Sequence, residues 1–171
     1  MANRLFGAHR LAPLLVSWEI SSHVALQFEI EAKRDGAKFI EAEHMLLALA
    51  ADPESDAARL LKESGLDHQR LASSLYEERR RTLAFAGMTA PDKELVEATE
   101  LESSPSLGTS AKAAVRRALI ASRQDRPRRP RLRSTDLLFG ILQAELGTVA
   151  RALAIAGIDR AALMSRARGS E

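Results

Sequence analysis

The side chains able to do chemistry in this 171-residue chain are few, and their spacing limits what they can do. Glu43 and His44 set a carboxylate beside an imidazole. Consecutive residues of a helix point apart, however, so the two cannot work as an acid/base pair. The histidines His9, His23, His44 and His68 show no ligand spacing. With no cysteine there is no disulfide, thiolate metal site or cysteine nucleophile. No G-x-x-x-x-G-K-[ST] stretch occurs to cradle a nucleotide's phosphates. No Ser/His/Asp grouping stands at a useful spacing, so an enzyme finds no support, and neither a cofactor nor a metal is expected. What remains is recognition chemistry. The candidate contacts are Glu43 and His44, their counterparts Thr135 and Asp136, and the cations Arg126, Arg128, Arg129 and Arg131 in a Pro-interrupted basic loop.

Two copies of one helical design position these residues. The stretch EHMLLALAADPESDAARLLKESGLDHQRL, from Glu43 to Leu71, is answered about 92 positions later by TDLLFGILQAELGTVARALAIAGIDRAAL. Without a gap, Leu46 meets Leu138, Arg59 meets Arg151, Leu61 meets Leu153, Gly65 meets Gly157 and Asp67 meets Asp159. Ile20, Val24, Phe28 and Ala32 fall at helical spacing, and Lys33, Arg34 and then Gly36 give the expected helix stop. The block EAEHMLLALA is apolar on nearly every side after its opening carboxylates, so it must be a buried helix. Ser55 and Asp67 suit N-caps, as does Ser134 in the second copy, and Gly65 suits the left-handed joint between two helices. The charged run Glu77 to Arg81 reads as a solvated helix face with i,i+4 pairing. In the second copy Ala111, Ala114, Val115 and Ala118 form the inner stripe.

The expected class is therefore all-α: two four-helix repeats related by a pseudo-twofold. The expected division is a leader at 1–15, a first repeat at 16–82, a linker at 83–108 with a short helix around Glu94 to Thr99, and a second repeat at 109–168. No stretch approaches the roughly 20 apolar residues that span a bilayer. The basic opening MANRLFGAHR carries no cleavage-site pattern, and a cytoplasmic protein with no membrane partner is expected. Charge divides unevenly. Residues 1–100 hold 12 Lys/Arg against 17 Asp/Glu, and residues 101–171 hold 13 against 6, so the second half is basic.

These blocks resemble the paired repeat of the N-terminal domain of Clp unfoldases, most of all the ClpC branch. The resemblance lies in Glu41-Ala42-Glu43-His44-Met45-Leu46-Leu47, Asp56-Ala57-Ala58-Arg59-Leu60-Leu61 and Ser64-Gly65-Leu66-Asp67. In the second copy it lies in Thr135-Asp136-Leu137-Leu138, Thr148-Val149-Ala150-Arg151-Ala152-Leu153 and Gly157-Ile158-Asp159. It covers roughly residues 16–168. It implies a recognition module without its AAA+ motor, binding Clp ATPase or protease subunits, their substrates or their adaptors.

Some ClpC-type domains hold phosphoarginine with a threonine near each repeat's start and a glutamate in each such block. Glu43 matches the glutamate, whereas Ala42 replaces the preceding threonine and the start near Ser17 and Trp18 lacks the pattern. Thr135 stands at the glutamate position of the second copy and Asp136 at the histidine position, with Gly108 or Thr109 near that helix start. A guanidinium fork needs a planar carboxylate. At most one such pocket, around Glu43, is implied. Helix-start chemistry with packing under the preceding loop is the plain alternative for Glu43 and His44.

The function expected is that of a protein- or peptide-binding adaptor, regulator or decoy for a Clp AAA+ machine in protein quality control. Sequestering cyclic-peptide ligands of the ClpC domain is one version. The alternative is a nucleic-acid-binding regulator using Arg116, Arg117, Arg126, Arg128, Arg129, Arg131 and Arg133. Against it, no aromatics interleave these cations to stack bases, and no reading helix is recognisable.

Overall fold

Helix α1 runs from Ser22 to Arg34, α2 from Ala42 to Ala51, α3 from Asp56 to Glu63 and α4 from His68 to Phe85. The second half repeats the series as α5, Thr109–Asp125, α6, Ser134–Leu142, α7, Thr148–Ile155, and α8, Arg160–Gly169. This computed structural model describes residues 22–89, 104–125 and 132–169. The leader, Ser17, Trp18, the expected helix near Glu94 and the basic loop's Arg126, Arg128, Arg129 and Arg131 lie outside the described residues. So does His9, together with the side chain of His23.

The duplication is visible in the element starts: α3 and α7 begin 92 positions apart, and so do α4 and α8. Each joint is built the same way. Gly65 takes φ +75° and Gly157 φ +70°, and the next residue's N–H reaches back to a carbonyl, Leu66 to Leu61 O and Ile158 to Leu153 O, both at 2.9 Å. Asp67 then accepts from Arg70 N–H at 2.8 Å, and Asp159 from Ala161 N–H at 2.9 Å. Ser55 caps α3 through Ala58 N–H at 3.1 Å.

One core serves both halves. Phe28, Met45, Leu46, Leu49, Leu61, Leu71, Leu137, Leu138 and Ile141 are sealed in a single cluster, together with the small stripe Ala111, Ala114 and Ala118 of α5. The apolar helices α2 and α6 meet in the middle, α4 lies on α7, and α8 lies on α3. That crossed packing is the exchange a pseudo-twofold requires. Where α5 crosses α6, a methyl on Gly140 would stand 2.3 Å from Ala114 O and 2.8 Å from Ala118 N. Only glycine lets these backbones approach so closely.

Two local expectations are corrected, and one stretch for which no element was expected forms a short ladder. Ser134 does not cap its own helix; Arg133 holds the N-cap place, and the Ser134 hydroxyl accepts from Ala57 N–H at the start of α3, 3.3 Å away. The connection at Phe39–Ile40 is not plain loop but a two-residue parallel ladder with Ser106–Leu107, continued by Gly108 N–H to Ile40 O at 2.8 Å. Two residues are too few for a period-two signal to register. The run Glu77 to Arg81 is only partly a solvated face. Glu77 does pair with Arg80 and Arg81, but Glu78 is 4% exposed and bonded to Arg151 of α7.

Candidate partner-binding face

Four of the functional candidates, Glu43, His44, Thr135 and Asp136, lie in the first turns of α2 and α6, which are built alike. A helix N-terminus leaves N–H groups without partners, and the residue three places in can reach back to the N-cap. Glu41 N–H donates to Nδ1 of His44 at 2.9 Å, and Arg133 N–H donates to Oδ2 of Asp136 at 2.8 Å. Histidine and aspartate therefore do one job at equivalent places. His44 is 2% exposed, and Thr135 and Asp136 are buried as well.

Because Nδ1 of His44 accepts, its Nε2 carries the hydrogen, and that nitrogen lies 3.3 Å from Oδ2 of Asp35. Asp35 is also held from outside by Arg79 of α4, each terminal nitrogen on one carboxylate oxygen. Burial pushes the Asp35 carboxyl up, but the hydrogen bonds from His44 and Arg79 outweigh it and hold the group below its usual range. Arg79 in turn is raised above its usual value, first by the bond to Asp35 and further by the charges of Glu43 and Glu78. Glu43 is half-buried, so of the four first-turn candidates it is the carboxylate left facing outward. The charge of Arg79 reaches it electrostatically, although the Arg79 guanidinium itself is taken up by Asp35.

Glu41 serves the other half. Its carboxylate accepts from Ser110 N–H at 2.9 Å and from the Ser110 hydroxyl, which itself accepts from Ala42 N–H at 2.8 Å. An anion thus satisfies the opening turn of α5. The structure ties His44 into a network with Asp35 and Arg79, leaves Glu43 beside it on the same turn, and sets Thr135 and Asp136 in the matching turn. The residues that complete the network, Asp35, Arg79 and Ser110, were not singled out in the sequence. The positions joined are 44 and 69 apart, beyond any local pattern.

The basic half is partly engaged. Arg117 donates Nε to Gly140 O at 2.7 Å, and burial lowers its pKa; Arg116 is exposed. Among the described residues no three His, Cys, Asp or Glu side chains converge as metal ligands, and no helix is long and apolar enough to cross a membrane.

Comparison with known proteins accords with this architecture. The sequence profile of the Clp repeat (R) N-terminal domain matches residues 27–129. The N-terminal domain of the caseinolytic protease associated chaperone ClpD from Arabidopsis thaliana superposes with a TM-score of 0.66 at 18% identity, over 90% of this chain and 94% of that one. A structure described as part of preliminary investigations of a malarial protein secretion system superposes with a TM-score of 0.57 at 17% identity, over 84% of this chain and 86% of that one. A sequence search of curated proteins returns no match. With its profile matched over more than half the residues and its fold shared along nearly the whole length, the chain belongs to the Clp repeat (R) N-terminal domain family.

Proposed function

We propose that the protein is a non-catalytic protein- or peptide-binding module that acts as an adaptor, regulator or decoy for a Clp AAA+ unfoldase or protease. The observation that carries this reading is the family itself, whose domains are non-catalytic parts of Clp chaperone systems. The architecture suits the task. Two fused repeats with one core give a rigid body, and a rigid body presents a surface without losing ordering entropy on binding. Affinity capture with the tagged chain from its native cells, followed by mass spectrometry, tests the reading. Enrichment of Clp ATPase or protease subunits is expected, and a capture without them overturns it.

The ligand at the α2 turn is a finer part of the proposal. Phosphoarginine or a cyclic peptide would meet Glu43. Calorimetry with phosphoarginine should give heat with the wild type and none with Glu43→Ala. No heat from either protein at millimolar phosphoarginine removes this ligand.

A further inference from the structure

We propose that the outer face of α5 docks an acidic amphipathic segment of a partner protein. The proposal deepens the adaptor reading and rests on it. Along α5, beside Leu107 of the parallel ladder, runs a groove of about 460 Å³. Leu107, Leu119 and Ile120 supply its apolar lining, and Lys112, Arg116 and Arg123 stand along it. Ile120 is 47% exposed, although an isoleucine usually lies inside.

Charge selects the occupant. Elsewhere on the surface the guanidinium groups of Arg79, Arg80, Arg151 and Arg168 each meet a carboxylate. Among the described residues no carboxylate pairs with Lys112, Arg116 or Arg123, and none lines the groove. Positions 112, 116, 119, 120 and 123 follow helical spacing, so cations and apolar groups share one stripe. From Lys112 to Arg123 the stripe is roughly 16 Å long, three turns of a partner helix. Nucleic acid would satisfy the cations and leave Leu119 and Ile120 against a polar backbone. A neutral apolar ligand would cover the leucine and strand the charges. A helix carrying leucines on one stripe and carboxylates beside it answers both features, with the electrostatic match steering encounter.

The experiment is fluorescence anisotropy on the full chain with a labelled helical peptide of about 16 residues, leucine along one stripe and glutamate elsewhere, beside a copy with lysine for glutamate. The glutamate peptide should bind, and its affinity should fall as salt rises. Binding should weaken about tenfold in Arg116→Glu/Arg123→Glu, and similarly in Ile120→Asp, while circular dichroism and melting temperature stay at wild-type values. The lysine peptide should not bind. Equal binding by wild type and the charge-reversed variant, equal binding of both peptides, or no binding of the glutamate peptide overturns the docking face. Clp capture with the same proteins separates the two readings. Capture without peptide binding sinks the groove alone, and peptide binding without capture sinks the Clp assignment alone.

Discussion

Arg79 closes both terminal nitrogens on the carboxylate of Asp35, 44 positions earlier, and ties the end of α1 to the middle of α4. The same carboxylate steadies His44 at the first turn of α2. One ion pair thus holds three helices in register at the face proposed to meet a ligand.

Replacing Asp35 by Asn should lower stability at neutral pH by about 1 kcal/mol, the modest figure reflecting that both partners are part-exposed. The Asp35 pKa is depressed in the folded chain relative to its ordinary 3.8. The stabilisation is therefore fully present above pH 3.8 and is lost as pH falls through the lower folded value. Urea melts of wild type and Asp35→Asn should differ at neutral pH and converge in acid. A gap that widens on acidification would show that Asp35 is not the group responsible.

Arg59 and Arg151 occupy equivalent places 92 positions apart, yet they should answer truncation differently. Arg59 pairs with Asp56 on its own helix, and both are exposed. Arg151 reaches from α7 to Glu78, which is sealed on α4. Arg59→Ala should cost at most about 0.5 kcal/mol. Arg151→Ala leaves a buried carboxylate with, among the described residues, only Thr82 as donor and should cost about 2 kcal/mol. Denaturant midpoints of the two variants at constant m-value measure the contrast.

Gly140→Ala puts a methyl into the backbone of α5 and should cost about 3 kcal/mol. For a chain of this length that lowers the melting temperature by roughly 6 to 12 °C. Gly169, with open space around it, provides the control: Gly169→Ala should melt with the wild type.

Gly108 and Glu41 should be coupled. A methyl on Gly108 would meet Oε1 of Glu41 at 2.0 Å and drive that carboxylate off Ser110. Glu41→Ala removes the same bond and should cost about 1 kcal/mol. In a double-mutant cycle, Gly108→Ala should cost less in the Glu41→Ala background than in wild type. Strict additivity would mean that the strain lies elsewhere.

What the sequence disclosed was whatever repeats or acts over a few residues. Ser55, Gly65 and Asp67 are local signals, and the alanine stripe of α5 falls inside because 3.6-residue periodicity puts it there. The 92-position echo placed α3 and α7, and α4 and α8, in register. What it withheld were pairings between distant segments. Ser134 looked like an N-cap and became an acceptor for α3; Glu41 opens α2 as its N-cap and also serves α5, which no local pattern announced. The charged run at Glu77 hid Glu78 and Arg79, whose partners lie 73 and 44 positions away. In the candidate site, Glu43 and His44 were visible from their block, whereas Asp35 and Arg79, which hold His44 in place, were not.

The seating of α4 on α7 and of α8 on α3 says something about ancestry. A lone copy of this unit carries no counterpart for its own exposed flank, so a single-copy forebear would have needed a twin molecule and would have dissociated on dilution. Two copies in one polypeptide have no such dependence on concentration. Nor does each copy have to remain identical to the other. Glutamate at position 41 corresponds to arginine at 133, and histidine at 44 to aspartate at 136, as marks of that freedom.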